Sequence, residues 1–193
     1  MQKTDLATQE CKNLRSALQN ADTVDALLSR EIEKGFLSGP YKVPPFQNYR
    51  VSPLGIAEHK YSKKKRLIVD LSAPNYIETH PSINELIDKN QCSLSYVSID
   101  DAIKIIIQKG PGSLMCKTDI SDAFKLIPIL PSQYHLYCVK WRDAYYYYTR
   151  LSFGCRSSPK IFDQFSQAIC WIAQNNYKIE SILHLLDDFL TLD

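Results

Sequence analysis

Residues 181–193 read SILHLLDDFLTLD, with two adjacent aspartates, Asp187 and Asp188, between two apolar runs. This pattern predicts a β-hairpin whose turn carries both carboxylates. Adjacent carboxylates at an apolar hairpin tip repel each other and lose hydration, so a bound cation is one explanation for them. Turns also favour aspartate for conformational reasons, and the pair alone fits an ordinary turn better than a cation site.

A third aspartate follows a second apolar strand. Residues 113–118 (SLMCKT) predict a strand that delivers Asp119 at its C-terminal end, within the stretch KTDISDAFKLIPI. Strand-end carboxylates from two hairpins can converge at one point. Phosphoryl transfer to a nucleotide uses two Mg²⁺ ions about 4 Å apart, held by several carboxylates. Asp119, Asp187 and Asp188 together therefore predict a two-metal site.

A glycine turn precedes the longest predicted helix. In TRLSFGCRSSPKIFDQ, residues 149–164, Gly154 would let the backbone approach a ligand. Ser157 or Ser158 is expected to cap the helix, with Pro159 in its first turn. Such a turn is more often ordinary architecture than a nucleotide site, so on its own it carries little weight.

The rest of the chain predicts helices alternating with strands. The predicted elements are a helix over Thr23–Lys34 capped by Asp22 or Thr23, an extended proline-rich segment over 38–55, a strand over Arg66–Leu71 ended by Ala73-Pro74-Asn75, a helix from Ser98 to Gly110 with Ile99, Ala102, Ile103 and Ile106 on one face, a hairpin within Tyr134–Leu151 that turns at Arg142-Asp143, and a helix from Pro159 to about Asn175. Phe162, Phe165 and Ile169 are expected to place that last helix against a sheet.

The composition is that of an ordinary soluble protein. Its 193 residues are 45% hydrophobic and 23% charged, enough to bury a sizeable core. A net charge of +2 does not by itself indicate a nucleic-acid binder, so such a role rests on local clusters, chiefly Lys60 with Lys63–Arg66. Six scattered cysteines without zinc spacing predict reduced thiols, mostly in the core.

Targeting signals are not evident in the sequence. The N-terminal stretch MQKTDLATQE has no apolar run, and no segment approaches the ~20 apolar residues of a membrane span. We therefore expect an intracellular protein of the cytoplasm or nucleus, not secreted and without a membrane partner.

Four motifs, in this order, resemble the reverse transcriptase family from about Glu31 to Asp193. RLIVDLSAPN resembles the family's fingers strand that follows a basic hairpin, and KTDISDAF resembles the motif with the first metal aspartate. LSFGCRSSPKIF resembles the Leu-Pro-x-Gly to Ser-Pro segment, and LLDDFL resembles the Asp-Asp metal turn. Within the family, GPYKVPPF, VSPLGI and LLDDFL are most similar to the enzymes of DIRS-like retrotransposons, which encode a tyrosine recombinase.

The resemblance implies an α+β fold with the palm of a right-hand polymerase, an antiparallel sheet backed by helices, interrupted in sequence by fingers. The implied organisation is a polar N-terminal extension over 1–21, fingers over 22–94 and 128–157, and palm over 95–127 and 158–193. The chain stops five residues after Asp188. Thumb and RNase H are therefore expected to be absent from it and to belong to the same polyprotein, so that the chain is a fragment or a degenerate copy of an element.

The resemblance also assigns roles to individual residues. Asp119, Asp187 and Asp188 become catalytic metal ligands for two Mg²⁺ ions, with Mn²⁺ as a possible substitute, and the backbone carbonyl of Ile120 joins them. Arg66 aligns with the fingers arginine that clamps the triphosphate, and Lys60 or Lys63 is expected to assist it. For each lysine, a solvated charge run is an equally good explanation.

Further roles concern the incoming nucleotide. Asp122 and Ala123 would offer backbone N–H groups to the triphosphate. Phe124 falls where the family keeps an aromatic ring under the sugar, which leaves no room for a 2′-hydroxyl and cannot accept a hydrogen bond from it. A core aromatic is the alternative for Phe124. Phe153 would pack near the incoming base or template, and Gly154 would shape that pocket.

The implied activity is that of an RNA-directed DNA polymerase of a retrotransposon. It would add deoxynucleoside triphosphates to a primer 3′ end on an RNA or DNA template. Two alternatives remain open: a catalytically inactive nucleic-acid-binding remnant of such an element, and an RNA-dependent RNA polymerase.

Overall fold

The computed structural model of the chain describes residues 6–74 and 80–193, and shows a mixed α+β fold. In chain order, the elements are β1 (Gln9–Glu10), α1 (Arg15–Leu18), α2 (Ala21–Glu33), β2 (Leu37–Tyr41), β3 (Arg50–Val51), β4 (Leu54–Glu58), β5 (Lys65–Val69), α3 (Ile99–Lys109), β6 (Met115–Asp119), β7 (Cys138–Trp141), β8 (Ala144–Tyr148), α4 (Ser158–Tyr177), β9 (Ser181–Leu185) and β10 (Asp188–Leu192). Asn75, predicted to help end a strand, lies outside the described residues.

The chain divides into two compact units, each built from two separate segments. The first unit comprises Met1–Asp88 and Phe124–Arg156, and the second comprises Lys89–Ala123 and Ser157–Asp193. The two units divide after residues 88, 123 and 156, whereas the predicted fingers and palm segments divide after residues 94, 127 and 157. Identification of the units as fingers and palm stays a prediction.

Two sheets form the first unit. Its larger sheet has the strand order β1-β3-β7-β8-β2, and β4 pairs with β5 in a separate two-stranded sheet. The predicted hairpin is present, because Trp141 pairs with Ala144 across a turn at Arg142-Asp143. Its first strand begins at Cys138 rather than near Tyr134, since Pro131–Leu136 forms a 3₁₀ helix.

The described part of the predicted N-terminal extension, residues 6–21, is incorporated into this unit. Strand β1 pairs in parallel with β3, and Ala17 of α1 is completely buried. The prediction of a polar extension over 1–21 was therefore wrong for these residues. The sequence did not predict β1 and α1, because a two-residue strand and a one-turn helix produce no periodic signal in a polar stretch.

Helix α2 begins earlier than predicted. Its N-cap is Asn20, not Asp22 or Thr23, and this asparagine makes no side-chain capping bond. The Asn20 amide instead donates to the Ser16 carbonyl at 2.8 Å and accepts from Lys65 Nζ at 2.5 Å. The predicted end is confirmed, since the helix stops just before Gly35, which has a φ of 70°.

The proline-rich segment contains three short strands, which the prediction of an extended connection did not include. Strand β2 carries Pro40 and lies at the edge of the five-stranded sheet. An edge is where a strand tolerates proline, because one side of its backbone needs no partner. Breaks around Pro44-Pro45 and Pro53 separate β2, β3 and β4.

An ion pair between a buried lysine and a partly buried glutamate lies in the first unit. Lys125 Nζ is 2.9 Å from Glu31 Oε2 of α2, and it also lies 3.9 Å from the ring centroid of Tyr148. The side chains of Lys125 and Glu31 are 7% and 24% exposed. Burial and the nearby Glu31 charge raise the pKa of Tyr148 above its ordinary value, so its phenol stays protonated.

The second unit contains the antiparallel sheet β6-β10-β9, with α4 against β9 and α3 against β10. Helix α3 has the predicted bounds, with Ser98 as N-cap and Gly110 after its last residue. The Ser98 N–H and hydroxyl donate to Asp101, which holds the pKa of that carboxyl below its usual value. The apolar side chains at Ile99 and Ile103 are nevertheless exposed.

Helix α4 has one of the two predicted N-cap residues but departs from its prediction in its buried face. Ser157 occupies the N-cap position without making a side-chain capping bond, and the helix continues to Tyr177. Phe162 is fully buried as predicted, whereas Phe165, expected in the core, is exposed. Asp163 and Ser166 take the buried positions instead. The face of α4 that meets β9 is therefore partly polar.

Two further sequence expectations concern the cysteines and the absence of a membrane span. Of the six free cysteines, Cys138 and Cys155 are buried and the others are partly or fully exposed, so the expectation of mostly core thiols was wrong. In the described segments, no helix combines the length and apolar character that a membrane crossing requires.

Candidate active site

Strand register brings two of the three predicted metal aspartates together. Asp119 is the last residue of β6 and Asp188 the first of β10, and they are direct partners in the antiparallel pairing. Side chains of directly opposed residues project from the same face, with Cβ atoms roughly 5 Å apart. Two carboxylates therefore lie within reach of one cation.

The third aspartate lies in the turn between β9 and β10. Leu185 and Asp188 close the hairpin, and Leu186 adopts a left-handed φ of 55°. The N–H of Ile120 donates to the carbonyl of Asp187 at 3.0 Å. This bond extends the β6–β10 ladder by one step and holds Asp187 beside the end of β6, so all three aspartates lie at one end of the sheet.

The carboxylate pair is partly neutralised by a lysine. Lys117 Nζ lies 3.0 Å from Asp188 Oδ1, and both side chains are substantially exposed. An exposed ion pair of this kind contributes little to stability. It shows, however, that a cation fits against this carboxylate, where opposed aspartates would otherwise repel each other.

The donor set suits a hard divalent cation. Carboxylates and a backbone carbonyl are the ligands that Mg²⁺ accepts. Within residues 6–74 and 80–193, no three His, Cys, Asp or Glu side chains are oriented to hold a metal ion together. The backbone thus gathers the aspartates, while coordination would require their side chains to turn towards one another and Lys117 to withdraw from Asp188.

The two predicted N–H donors lie next to this site. Asp122 has a φ of 58°, and Ala123 is buried and begins a 3₁₀ turn. The Ala123 N–H makes a long bond of 3.4 Å to the Ile120 carbonyl. Both the predicted N–H donor at Ala123 and the predicted metal-binding carbonyl at Ile120 therefore take part in a weak local turn.

The basic residues lie on the β4–β5 hairpin of the first unit, as predicted. Arg66 is an exposed residue of β5 and pairs with Ala57. Lys63 lies in the loop with its Nζ 3.4 Å from Glu58 Oε1, and Lys60 Nζ lies 5.6 Å from the Tyr61 ring centroid. All three cations remain exposed and could reach a polyanion.

Phe124 and Phe153 form a pair within the first unit. Their ring centroids are 4.9 Å apart, with the planes at 55°. Phe124 is 8% exposed and Phe153 is 47% exposed. Phe153 thus covers the largely buried Phe124 and presents its own ring to solvent.

The backbone at position 154 requires glycine for a structural reason that the sequence did not reveal. Its φ is 92°, and a Cβ placed there would lie 2.8 Å from the carbonyl oxygen of Val69. The backbone approach made possible by this glycine is therefore to strand β5. Its predicted approach to a ligand stays a prediction.

Solved structures of viral reverse transcriptases match the chain. A selenomethionine-labelled CSH mutant of prototype foamy virus protease-reverse transcriptase matches 97% of this chain and 22% of its own, with a TM-score of 0.66 and 17% identity. The native form of that protein has a TM-score of 0.62 and 16% identity, and the match covers 96% of this chain and 21% of the native form. The foamy viral protease-reverse transcriptase dRH in complex with double-stranded DNA has a TM-score of 0.60 and 18% identity. That match covers 99% of this chain and 28% of the viral protein.

The chain has a reverse-transcriptase-like fold. It spans less than a third of each of these proteins. No family model and no curated protein matches the sequence. Identities of 16–18% support the fold alone. The placement among DIRS-like enzymes therefore stays a prediction.

Asn84 supports the Gly154 segment of this reverse-transcriptase-like fold, and sequence reasoning missed it. Its buried amide donates to the Gly154 carbonyl at 2.8 Å and to Ser72 Oγ at 2.9 Å, and accepts from the Arg156 N–H at 2.8 Å. A lone asparagine in a polar stretch carries no periodic or motif signal, so only the tertiary structure reveals this role.

Replacing Asn84 by alanine is expected to lower the free energy of unfolding by about 2 kcal/mol, because buried partners lose their hydrogen bonds. Urea unfolding followed by circular dichroism measures the change. Asn175→Ala is the matched control, since the exposed Asn175 amide makes one bond, to the Trp171 carbonyl. Equal stability of the Asn84 variant and the parent would contradict the supporting role of these hydrogen bonds.

Proposed function

We propose that this chain is the catalytic part of an RNA-directed DNA polymerase from a retrotransposon of the DIRS-like group. The observation that supports it most directly is the pairing of Asp119 with Asp188, with Asp187 held beside them by the Ile120 N–H. Three carboxylates at one end of a sheet, on a reverse-transcriptase-like fold, are the donor set that two-metal phosphoryl transfer uses.

The proposed reaction joins a deoxynucleotide to a primer. The primer 3′-oxygen forms a bond to the α-phosphorus of a deoxynucleoside triphosphate, and the bond to the leaving pyrophosphate breaks. Asp119, Asp187 and Asp188, with the Ile120 carbonyl, would hold two Mg²⁺ ions or Mn²⁺ in their place. When bound, these ions activate the 3′-hydroxyl and neutralise charge on the transferring phosphoryl group.

Other residues would bind and orient the triphosphate. Arg66, with Lys60 or Lys63, would contribute positive charge, since a planar guanidinium matches phosphate oxygens in a bidentate manner. Asp122 and Ala123 would donate backbone N–H groups, for which the Ala123–Ile120 bond must open. Phe124 would lie under the sugar, while Phe153 and Gly154 would shape the pocket for the base or template.

The alternative is a catalytically inactive nucleic-acid-binding remnant. The ion pair between Lys117 and Asp188 favours it, together with side chains that do not converge on a metal position among the described residues. Under this alternative the basic hairpin would still bind RNA, but no nucleotide would be joined.

Primer extension tests the proposal. The chain is incubated with poly(rA) annealed to oligo(dT), Mg²⁺ or Mn²⁺, and either deoxythymidine or uridine triphosphate. Incorporation of the deoxynucleotide supports the polymerase. RNA binding without incorporation supports the remnant, and efficient incorporation of the ribonucleotide by the parent chain overturns the assignment in favour of an RNA polymerase.

Phe124→Ala is expected to raise the ratio of ribonucleotide to deoxynucleotide incorporation by about tenfold or more, because a small side chain makes room for the 2′-hydroxyl. The ratio is measured within one preparation, so partial unfolding does not affect it. Phe153→Ala is the control, since it removes the same ring contact without opening the predicted sugar position. An unchanged ratio for Phe124→Ala would exclude the sugar-contact role.

A further inference from the structure

Helix α4 is tied by a buried hydroxyl to the turn that carries the paired aspartates. Ser166 is fully buried, and its Oγ donates to the carbonyl of Leu186 at 2.7 Å. That carbonyl belongs to the peptide group joining Leu186 to Asp187. Leu186 is held at a φ of 55°, which is uncommon for a branched side chain. One hydrogen bond thus fixes the orientation of the peptide preceding Asp187.

A second link connects the same helix to strand β9. Asp163 Oδ1 lies 3.2 Å from His184 Nε2, and the Cys170 thiol lies 3.5 Å from His184 Nδ1. Each imidazole nitrogen of His184 therefore has a partner, the Asp163 carboxylate on one side and the Cys170 thiol on the other. Gln167 donates to the other oxygen of Asp163 at 2.7 Å, which orients that carboxylate.

The histidine also contacts the strand that begins with Asp188. Its ring stacks on Phe189, with centroids 5.9 Å apart and planes at 28°, and Phe189 is buried. Helix α4 therefore holds β9 through His184, the turn through Ser166, and β10 through the His184–Phe189 stack. Each strand of the hairpin and the turn between them has its own contact.

The Cys170, His184 and Asp163 group is not itself an independent reactive centre. Cys170 and Asp163 approach opposite nitrogens of the imidazole, so they cannot bind one metal ion together with it. Burial, assisted by the Asp163 charge, raises the pKa of the Cys170 thiol and disfavours a nucleophilic thiolate. The network is therefore suited to support rather than to chemistry.

We infer that Ser166 and His184 are positioning residues that hold the Asp187-Asp188 turn in register with Asp119 for divalent-cation binding. The inference rests on the proposed function. Asp119 is exposed and Asp187 and Asp188 are partly exposed. Their like charges repel one another, so their approach depends on how rigidly the turn is anchored. Outer-shell hydrogen bonds that orient metal ligands typically change metal affinity by about tenfold or more when removed.

Direct Mn²⁺ binding to the full chain tests the inference without requiring polymerase activity. Free Mn²⁺ is measured by electron paramagnetic resonance, at a temperature where thermal unfolding shows every variant to be folded. Ser166→Ala is expected to raise the Mn²⁺ dissociation constant by about tenfold. His184→Leu should act similarly, whereas His184→Gln should retain affinity near the parent value, because its amide can still donate to Asp163.

Thr191→Val is the matched control for loss of a hydroxyl. Thr191 Oγ1 donates to the Cys116 carbonyl at 3.3 Å, towards the opposite end of the same sheet. Asp187→Asn supplies the reference for a damaged site. If the parent binds Mn²⁺ more tightly than Asp187→Asn but Ser166→Ala matches the parent, the positioning role is overturned and the proposed function stands. If the parent and Asp187→Asn bind equally weakly, both proposals fail.

Discussion

Replacing Asp187 by asparagine is expected to lower deoxynucleotide incorporation by at least about a hundredfold. The amide keeps the shape of the side chain but removes the negative charge that a divalent cation requires. Single-turnover extension of a labelled primer measures the effect. Because Asp187 lies in a partly exposed turn and its variant loses only charge, thermal unfolding should remain close to that of the parent.

A control variant distinguishes loss of metal binding by Asp187 from a general effect of removing one negative charge. Asp143 lies exposed in the turn of the β7–β8 hairpin in the first unit, so Asp143→Asn makes the same chemical change away from the site. Asp119→Asn should match Asp187→Asn, and combining the two should add little, since residues that act as one unit are not additive. Near-parental activity of either single variant would exclude the proposed site.

Replacing Glu31 by alanine is expected to lower the free energy of unfolding by about 3–5 kcal/mol. The change leaves the buried Lys125 ammonium without its carboxylate, although the Tyr148 ring still contacts it. Exchanging both partners for apolar residues, as Glu31→Leu with Lys125→Met, should restore most of the loss, because no buried charge then remains. Equilibrium unfolding in urea measures each variant.

An exposed ion pair provides the comparison. Glu58 and Lys63 have side chains that are 43% and 72% exposed, and their charges lie 3.4 Å apart. Glu58→Ala should change the free energy of unfolding by less than about 1 kcal/mol. If Glu31→Ala were equally mild, the pair of Lys125 and Glu31 would not be a determinant of stability.

Local patterns were sufficient for the strands that carry the aspartates. The apolar runs on either side of Asp187-Asp188 gave the hairpin, and the run before Asp119 gave β6, because alternation and turn residues act within a few positions of each other. The capped helix α3 was predicted for the same reason. The sequence also implied that the aspartates meet, although the direct pairing of Asp119 with Asp188 is visible only in the structure.

Polar residues in buried positions could not be predicted in this way. Asp163 and Ser166 interrupt the apolar stripe expected of α4, since their partners His184 and Leu186 lie in a different element. Asn84 and Lys125 are likewise buried through partners distant in the chain. Binary patterning assigns polar side chains to the surface and apolar side chains to the core. It therefore predicts that these polar residues are exposed, and it wrongly predicts that Phe165 is buried.

The strand order of the aspartate-bearing sheet also constrains the order in which it can fold. In the described sheet β6 pairs with β10, and residues 120–187, about a third of the sequence, separate the two strands. During synthesis, the edge of β6 must stay unpaired until β10 has left the ribosome. Pairings over such distances form slowly and leave edges open to wrong partners. The three like charges therefore come together only when this long-range pairing forms.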